Sequence, residues 1–433
     1  MMKSIAKSKD SYSEYEENTH KNITQLEEEF GSSFYLLNLE KLRENYKKID
    51  QAFKSRYSNF IIGYSYKTNY VPYLCKELAK LGAYSEVVSR LEYDLAIKIG
   101  VDPSKIIFNG PLKTKDDIFN ALNNNSKVNI DSIYEIDFVK EYCRRNQQKQ
   151  VKIGLRLNFD IFEDGVSPLI EGHEVCRFGI CTENGSMNDV MNELKNINNL
   201  RVVGLHGHFS TSRRRVSTYS KITKSLCKIA KSYLFDHLEY IDIGGGIFGE
   251  VPKSLIDHAP TFDDYAEAVC SIMNQEFPNE KEQPALILEP GIAMVANAFN
   301  FVAKVIGTKM IRDINFVLVD GSIHNIKPTM HSKNLPMKII RKNNDDTKTA
   351  KKFHIVGYTC LEKDYLAREL EEEMPEINDF IIFENVGAYT IVFNPPFIKE
   401  RPAIIAKDKN ELFVVRKKET IKQFFNEELY IFS

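Results

Sequence analysis

The stretch NFIIGYSYKTN, residues 59–69, joins an apolar run typical of a buried strand to a lysine that follows it directly. A lysine at the mouth of a strand can keep its amine partly desolvated, which lowers the pKa of the amine and suits it to attach to an aldehyde. The simpler interpretation is that Lys67 caps the strand in water, as lysines at exposed strand ends commonly do. The segments that follow favour the first interpretation.

Seven further strand-like runs follow Lys67, and segments with the helical spacing of apolar residues separate them. This alternation is expected of a parallel sheet with crossover helices. With residues 59–66 the runs make eight units in roughly 250 residues, the size of a closed (β/α)8 barrel, while an open doubly wound sheet is the competing layout. The seven runs are residues 84–89, 105–110, 127–132, 151–158, 200–208, 237–245 and 285–291.

The positions of polar residues favour the barrel, because chemistry in such barrels gathers at the carboxyl ends of the strands. Polar residues and glycines fall at or just past the predicted strand ends, and no comparable group lies at the strand starts. Scattered polar caps are the alternative explanation, but they should then occur at both ends. The residues concerned are Lys67, Ser89, Asn109, Asp131, Arg156, His208, Gly244, Gly245, Gly246 and Glu289.

After Gly291 the pattern changes to strands with few intervening helices, which predicts a second, mostly antiparallel β domain, sandwich or barrel-like. Residues 33–37 also resemble a strand, so we expect the N-terminus to join this second domain. The predicted domains are residues 1–38 as a segment joining the β domain, 39–292 as the barrel and 293–433 as the β domain. Its predicted strands are residues 299–309, 314–323, 337–341, 353–360, 380–392 and 403–407, with a solvated loop at 343–352 and a helix at 40–53 before the barrel.

Composition excludes several classes of function. Lysine plus arginine, 58, nearly balances aspartate plus glutamate, 60, which gives no electrostatic case for nucleic acid or an acidic membrane. No run approaches the roughly 20 apolar residues of a membrane span, and the first residues are too polar for a secretory signal. Seven cysteines without a CxxC pair predict neither a disulfide framework nor a zinc framework, and therefore a cytoplasmic protein.

Eight short motifs occur along the chain between about residues 34 and 401. They are YSYKTN (64–69), EVVSRLE (86–92), RFGI (177–180), GLHGHFS (204–210), GGG (244–246), EPG (289–291), YTCLEKD (358–364) and GAY (387–389). In this order they resemble the pyridoxal-phosphate-dependent amino-acid decarboxylases of the alanine-racemase-like barrel fold, which include diaminopimelate, ornithine and arginine decarboxylases. The resemblance implies pyridoxal 5'-phosphate as cofactor and a small-molecule amino acid as substrate.

The residues themselves offer what this cofactor needs: an amine for its aldehyde, a site for its phosphate and a partner for its pyridine nitrogen. Lys67 supplies the amine. Backbone N–H groups of Gly244 to Gly246 can approach a phosphate closely after the seventh strand, although tight turns also use glycine. Glu289 would keep the pyridine nitrogen protonated, and a surface carboxylate is the alternative.

The resemblance assigns further residues to the cofactor. It puts His208 against the face of the ring, lines the site with Glu86 and Arg156, and brings Tyr389 to the phosphate. His206 lies on the same strand face as His208, which raises a metal site as a competing idea. A catalytic zinc needs a third ligand and supporting residues, and no other strand end offers a histidine, so we predict no metal.

The resemblance also implies a homodimer with shared active sites, to which each subunit lends its YTCLEKD segment. It makes Cys360 the candidate acid that protonates the carbanion, beside Lys67 and His208 as catalytic residues. A buried structural cysteine is the alternative. Racemases of this fold use a tyrosine base where this chain has the cysteine motif, which favours decarboxylation. The implied substrate-binding residues are Lys327, Glu362 and Asp364.

Three departures from diaminopimelate decarboxylases concern the substrate. Ile292 and Lys327 stand where those enzymes have arginine, and Leu361 stands where they have glutamate. Loss of a charged clamp would leave a distal charge unpaired. We therefore expect a modified, acylated or otherwise unusual amino acid, as in siderophore and other secondary pathways. The alternatives are diaminopimelate decarboxylation to L-lysine, a non-catalytic decarboxylase-like binding protein and a metal-dependent barrel hydrolase.

Overall fold

The computed structural model describes residues 9–162, 165–170, 172–173, 175–234, 237–342 and 349–432. The chain divides into two compact units. One, the barrel unit, contains Arg43–Glu250 and His258–Met294, and the other, the β unit, contains Met1–Leu42, Val251–Asp257 and Val295–Ser433. Most of the loop predicted at residues 343–352 lies outside the described residues.

Strands and helices alternate through the barrel unit and give way to strands after it. The strands are β1 Phe34–Asn38, β2 Phe60–Ser65, β3 Tyr84–Val87, β4 Ile106–Phe108, β5 Lys127–Ile130, β6 Val151–Asn158, β7 Ile180–Cys181, β8 Leu200–His206, β9 Tyr240–Asp242, β10 Ala285–Leu288, β11 Phe299–Ile311, β12 Ile314–Val319, β13 Met337–Ile340, β14 Lys351–Val356, β15 Tyr365–Glu372, β16 Phe380–Phe383, β17 Ala403–Asp408 and β18 Glu411–Arg416. The α-helices are α1 Lys9–Phe30, α2 Leu39–Lys54, α3 Pro72–Leu81, α4 Arg90–Lys98, α5 Lys115–Asn123, α6 Ile133–Arg145, α7 Ser186–Leu194, α8 Val216–Tyr233, α9 Phe262–Glu276, α10 Ile292–Val295, α11 Ile323–Ile326 and α12 Ile421–Phe424.

The barrel unit is a closed barrel of eight parallel strands. Its circular order is β2, β3, β4, β5, β6, β8, β9 and β10, and it closes because β5 pairs with β6 and β10 pairs with β2. The short β7 pairs with β6 beside the barrel. This closure confirms the predicted (β/α)8 barrel and rules out the open doubly wound sheet. The observed strands are mostly shorter than the predicted runs, because the polar residues at their ends bend away into loops.

A tyrosine fills the interior of the barrel. The ring of Tyr240 on β9 occupies the space opposite two glycines, and a Cβ added to Gly204 would lie 2.0 Å from Tyr240 Cζ. A Cβ on Gly154 would lie 2.1 Å from Tyr240 Oη. The Tyr240 hydroxyl donates a hydrogen bond to Asn129 Oδ1 at 2.7 Å, so the buried phenol has a partner. The glycines on β6 and β8 are therefore what allow the barrel to close around this ring.

The crossover helices have sequence signals at their ends. Helix α3 has proline at its first position and is followed by the C-cap Gly82, which adopts the left-handed conformation with φ of +107°. Helices α5 and α9 each begin with a capping box, formed by Thr114 with Asp117 and by Thr261 with Asp264. These caps satisfy backbone N–H groups that the helices cannot pair internally.

The β unit is a mostly antiparallel sheet, as predicted. Its strands follow the order β15, β14, β12, β11, β1, β17 and β18, with β16 joining β11 to β13. Only two pairs in this described sheet, β1 with β17 and β12 with β14, are parallel. One of its cores is formed by Ile23, Leu26, Phe34, Val302, Ile340, Phe380, Ala403 and Ile405.

Several details of the β unit differ from the sequence prediction. The run predicted at 314–323 ends at Val319, because Ser322 and Asn325 form a capping box that starts helix α11. The runs predicted to reach 360 and 392 end at Val356 and Phe383. Strands β15 and β18 were not predicted. They lie at the two ends of the main strand order. Charged residues interrupt the apolar pattern of β15, whereas β18 contains an apolar run, residues 412–415, that the sequence prediction missed.

All seven cysteines are free thiols. Among the described helices, none combines the length and the apolar composition that crossing a lipid bilayer requires.

The packing around Tyr240 predicts a large effect of one methyl group. Gly204→Ala should lower the apparent free energy of unfolding by about 1–3 kcal/mol, because the new Cβ overlaps the ring and the closed barrel has no room to move it. Gly307→Ala is the matched control, since no atom lies within 4 Å of a Cβ built there. Urea denaturation followed by circular dichroism measures both variants, and equal stability of the two would contradict the role given to Tyr240.

Candidate functional site

Lys67 lies in a short turn, Tyr66–Thr68, that follows β2 at the carboxyl end of the barrel. Its Nζ lies 3.0 Å from Oε2 of Glu86, whose side chain is fully buried on β3. About a third of the lysine side chain, 32%, remains exposed. The Ser65 hydroxyl donates to the same carboxylate oxygen, and Asn109 Nδ2 donates to the other at 3.1 Å. The amine is therefore held against a buried carboxylate and is accessible from solvent.

Glu289 follows β10 and lies at the same end of the barrel. Its Oε1 accepts a hydrogen bond from Asn109 Nδ2 at 2.5 Å, and its Oε2 lies 3.5 Å from His206 Nε2. The carboxyl of Asp242, at the end of β9, is close to both, because ligand atoms of His206, Asp242 and Glu289 all lie within 4.8 Å of one another. All three side chains are buried.

The two buried carboxyl groups have opposite protonation preferences. Burial and the nearby Glu289 raise the pKa of Asp242 well above its usual value. Burial alone would raise the pKa of Glu289, but His206 and Lys67 hold it below its usual range. Two carboxylates this close cannot both ionise in a low-dielectric interior. Asp242 is thus the neutral member of the pair and Glu289 is the anion.

Sequence reasoning missed Asp242, which it had counted only as part of a strand. The signal that could have found it is its position two residues before the glycine triplet, because Gly244 N–H donates to Asp242 Oδ1 at 2.9 Å. Asp242 and Glu289 also correct the argument that no third ligand accompanies His206. By ligand type the trio could hold a metal ion, so the absence of a metal stays a prediction.

The glycine turn is fixed by its neighbours. Gly245 N–H donates to His208 Nδ1 at 3.1 Å, and a Cβ on Gly245 would lie 2.0 Å from the Glu289 carbonyl oxygen. Burial, Lys67 and Arg156 lower the pKa of His208 well below its usual value. The imidazole is therefore neutral, and with Nδ1 accepting a hydrogen bond its proton lies on Nε2.

Arg156 connects the fifth barrel strand to the same site. Its guanidinium pairs with Asp131 at 3.0 Å, donates to the His208 carbonyl oxygen at 3.2 Å and lies 4.7 Å from the centroid of the Phe178 ring. The arginine is thus locked on one side, and its Nε–H is buried without a described hydrogen-bond partner.

A second buried ion pair, which the sequence did not indicate, supports this arginine. Lys113 Nζ lies 3.1 Å from Glu135 Oε1, and both side chains are completely buried. The other Glu135 oxygen accepts a hydrogen bond from the Asp131 backbone N–H at 2.8 Å. Because an isolated buried charge is costly, this pair fixes the backbone that carries Asp131.

The remaining predicted site residues lie in the β unit. Cys360 and Glu362 are exposed. The Asp364 carboxylate is buried and accepts hydrogen bonds from the backbone N–H groups of Ile323 and Thr359, at 2.7 and 2.9 Å. This geometry gives Asp364 a role in shaping its own loop, and its contact with substrate stays a prediction.

Two further predicted residues of the β unit also have contacts of their own. Lys327 is buried, donates to the Lys333 carbonyl oxygen at 3.0 Å, and burial lowers its pKa to about 8. Tyr389 is half-buried and its ring stacks on that of Phe393, with centroids 5.9 Å apart. Their assignments to substrate and to phosphate stay predictions.

The barrel site fits pyridoxal phosphate by its donor set and by its shape. It offers an accessible amine on Lys67 and a buried anion on Glu289. The glycine turn packs closely against the ring of His208, since a Cβ on Gly244 would lie 2.6 Å from that side chain, so its backbone can approach where a larger residue could not. Buried polar atoms without a hydrogen-bond partner, Arg156 Nε and Asp242 Oδ2, lie around the same site. Lys67, His208, Arg156, Glu289 and Gly244 to Gly246 are the residues that would hold the cofactor.

Comparison with known proteins agrees with this chemistry. Residues 39–296 match the model of the pyridoxal-dependent decarboxylase family, pyridoxal-binding domain. The chain is 27% identical to diaminopimelate decarboxylase of Methanocaldococcus jannaschii over 405 residues, which cover 92% of this chain and 91% of that protein. It is 25% identical to the Aquifex aeolicus diaminopimelate decarboxylase over 409 residues, 92% of each protein.

Solved structures give the same result for the fold. The crystal structure of the M. jannaschii enzyme superimposes with a TM-score of 0.83 at 26% identity, covering 94% of each chain. The arginine decarboxylase of Paramecium bursaria Chlorella virus superimposes with a TM-score of 0.72 at 20% identity, covering 88% of this chain and 97% of that one, and so shows the fold alone.

The protonation of the carboxyl pair predicts a pH-dependent stability. A raised folded-state pKa gives Asp242 a stabilising contribution that is complete below its unfolded pKa of about 3.9 and is lost as pH rises. Asp242→Asn removes this loss. The variant should gain apparent unfolding free energy relative to wild type between about pH 4 and 7, by up to about 1.4 kcal/mol per pH unit.

Glu289→Gln is the matched control, because the pKa of Glu289 is shifted in the opposite direction. Urea titrations of both variants and wild type across the pH series measure the effect. If Glu289→Gln shows the relative gain and Asp242→Asn does not, the proton belongs to the other carboxyl group.

Proposed function

Because the chain belongs to the pyridoxal-dependent decarboxylase family, and is therefore an amino-acid carboxy-lyase that uses pyridoxal phosphate, we propose that its substrate is a modified, acylated or otherwise unusual amino acid. In the proposed reaction the substrate loses its α-carboxylate as carbon dioxide and becomes an amine. The observation that supports this proposal is the Lys67–Glu86 pair facing the anionic Glu289 site, combined with uncharged residues at two positions where diaminopimelate decarboxylases carry charge.

Each barrel residue has a defined task in this reaction. When bound, the cofactor supplies the electron sink for the pair that carbon dioxide leaves behind. Lys67 provides the amine that holds the cofactor and is displaced by the amine of the substrate. Glu86, 3.0 Å from that amine, stabilises its charged form and orients it. Glu289 remains ionised beside the neutral Asp242 and would hold a proton on the pyridine nitrogen.

His208 lies in the same barrel site and is uncharged. Neutral His208 presents an uncharged ring, which suits packing against the face of an aromatic cofactor. The backbone N–H groups of the glycine turn would bind the phosphate. Arg156 donates to the backbone carbonyl oxygen of His208 and so fixes the backbone that carries the ring, while the hydrogen bond from Gly245 N–H to Nδ1 orients the ring itself.

The distal end of the substrate is where this chain departs from its relatives. Ile292, half-buried directly after the EPG motif, offers no hydrogen bond to a charged group, and Leu361 is apolar and 37% exposed. A diaminopimelate substrate would lose two ionic contacts there, which together amount to several kcal/mol. Diaminopimelate decarboxylation to L-lysine is the second candidate, and it is supported by the names of the relatives.

A mass-spectrometric screen of cofactor-loaded protein with free, acylated and otherwise modified amino acids tests the proposal. We expect a modified amino acid to be decarboxylated at least tenfold faster than meso-diaminopimelate. Lysine formation from diaminopimelate at a rate far above all other products would refute the divergent substrate.

Lys67→Ala is the control, and it should lose both activity and the visible absorbance of the attached cofactor. If the wild-type protein shows the absorbance of the attached cofactor but turns over no amino acid, a non-catalytic binding protein is favoured. Treatment with a chelator should leave the rate of the reaction unchanged. Loss of activity after this treatment would favour a metal-dependent hydrolase.

We further propose a homodimer in which the YTCLEKD segment of each protomer completes the site of its partner, with Cys360 as the acid. The exposure of Cys360, Leu361 and Glu362 in their own protomer supports this arrangement, since a thiol that donates a proton to substrate must be accessible.

Mixing two inactive variants tests the shared site. Lys67→Ala and Cys360→Ala homodimers should each be inactive, while unfolding and refolding them together should restore about a quarter of the wild-type activity. Half of randomly reassociated dimers are mixed, and each mixed dimer has one intact site. Activity measured before and after mixing gives the result. No recovery, with dimers confirmed by light scattering, would show that Cys360 serves its own protomer or neither.

A further inference from the structure

Residues 427–432, with the sequence EELYIF, form an exposed strip that is largely apolar. Its four apolar residues, Leu429 to Phe432, are between 48% and 91% exposed, and its two glutamates are exposed as well. Single apolar residues are ordinary on a protein surface, whereas an uninterrupted apolar run in water indicates a surface that meets a partner. We call residues 427–432 the EELYIF segment.

Local contacts hold the EELYIF segment in its own chain. The backbone N–H groups of Leu429 and Tyr430 both donate to the Asn426 carbonyl oxygen at 2.9 Å. The ring centroids of Tyr430 and Phe432 lie 5.7 and 6.5 Å from that of Phe425, which is itself 43% exposed. Such contacts bury little apolar surface, so the segment can leave them at a small cost in free energy.

Strand β18 offers a pairing edge in the same β unit. It is the last strand in the main order, and β17 is the described strand that pairs with it. The opposite edge of such a strand presents backbone N–H and C=O groups to a further strand. Charged residues commonly protect an edge, but the middle of β18, residues 412–415 with the sequence LFVV, has none, and Leu412 is 43% exposed.

The two apolar runs match each other in length and composition. LFVV in β18 and LYIF in the segment each contain four residues, of which three are β-branched or aromatic, the types that favour strands. Antiparallel pairing with Leu429 beside Val415 sets Phe432 beside Leu412 at the other end. Each apolar side chain then has an apolar neighbour across the two strands, which removes the exposed strip from water.

Charged residues beside these runs select the antiparallel direction. In that register Glu427 lies beside Lys417, and both side chains are exposed. A parallel alignment of the same runs would instead place Glu428 beside Glu411. Opposite charges across a strand pair stabilise the pair, and like charges destabilise it. The edge and the segment are thus complementary in charge as well as in apolar content.

The structure between β18 and the segment favours a second copy as the partner. Glu419 N–H donates to the Arg401 carbonyl oxygen at 3.0 Å, and the two side chains pair at 2.8 Å. Helix α12 then begins with a capping box formed by Thr420 and Gln423. A hairpin within one chain would have to turn within these residues, at the expense of their contacts. The segment of a second copy meets the edge without this loss.

We propose that the edge of β18 accepts the EELYIF segment of a second copy of this chain as an antiparallel strand. Each copy carries both the edge and the segment, so two copies can exchange their segments about a twofold axis and fill both edges. The proposal concerns assembly and goes beyond the proposed function. It uses different residues from the contact proposed for the YTCLEKD segment, so each contact is tested separately.

Engineered cysteines test the pairing in the full-length protein. Cβ atoms of directly opposite residues lie about 5 Å apart across an antiparallel pair, which is near the separation that a disulfide needs. Leu412→Cys and Phe432→Cys should therefore form an interchain disulfide when the two single variants are unfolded, refolded together and oxidised. Non-reducing electrophoresis should show a dimer band several times stronger than that of either variant alone.

Leu412→Cys mixed with Ile421→Cys is the matched control, because Ile421 is 67% exposed but lies on α12, outside the segment. This mixture gives the background from the seven native thiols. A dimer band from Leu412→Cys and Phe432→Cys no stronger than that background would overturn the proposal. A disulfide within single chains that carry both substitutions would overturn it as well, since the segment would then pair with its own edge.

Charge reversal tests the register. In the mixture of Leu412→Cys and Phe432→Cys, adding Lys417→Glu to the first chain or Glu427→Lys to the second should slow interchain cross-linking about tenfold at low ionic strength. Both reversals together should restore the rate, because opposite charges again lie side by side. Lys422→Glu, the same change of charge on α12, should leave the rate unchanged. A combined variant as slow as either single reversal would overturn the antiparallel pairing.

Discussion

A continuous hydrogen-bonded chain through the barrel interior is the constraint on which the site depends. The Tyr240 hydroxyl donates to Asn129, whose amide donates to Asn109 Oδ1 at 2.8 Å. Asn109 Nδ2 then donates to both Glu86 and Glu289. Each buried polar group has its partner in the next, so none can rotate without leaving another unsatisfied. The two carboxylates at the barrel rim are therefore oriented from below, independently of any ligand.

This orientation explains how like charges coexist at the rim. Glu86 and Glu289 share one amide donor, and each has a further partner, Lys67 for the first and His206 for the second. The third carboxyl, Asp242, has its pKa raised by burial and by the neighbouring Glu289, and it remains neutral. Which of the neighbouring carboxyl groups carries the proton thus depends on the hydrogen-bond donors and charges around each of them. Glu86 and Glu289, the two carboxyl groups that accept from Asn109, each also have a nitrogen of a basic residue within 3.5 Å, and Asp242 does not accept from this amide.

The sequence predicted the eight barrel strands well, because strands buried on both faces form continuous apolar runs whose ends are marked by polar residues. It also placed Lys67, Arg156, His208 and Glu289 at one end of the barrel, where the structure has them. It did not reveal Asp242, or the Lys113–Glu135 pair that supports Asp131. Their functions depend on neighbours brought together from different strands, and such long-range pairing leaves no local pattern. Strand β15 and helix α1, whose sequences are rich in charged residues, were missed for the related reason that they carry little periodic apolar signal.

Substitutions at the carboxyl end of the barrel fall into two groups, those that disturb a shared buried network and those that do not. Asn109, Glu86, Asp242 and Glu289 are buried and share partners, so a substitution at one disturbs the others. Leu361, in contrast, is apolar and 37% exposed, and Ile292 is half-buried. Substitutions at such positions cost little folding free energy, since they break no buried network. Because Ile292 and Leu361 are no part of that buried network, the change of substrate that we propose can arise at these positions without disturbing the residues that would hold the cofactor.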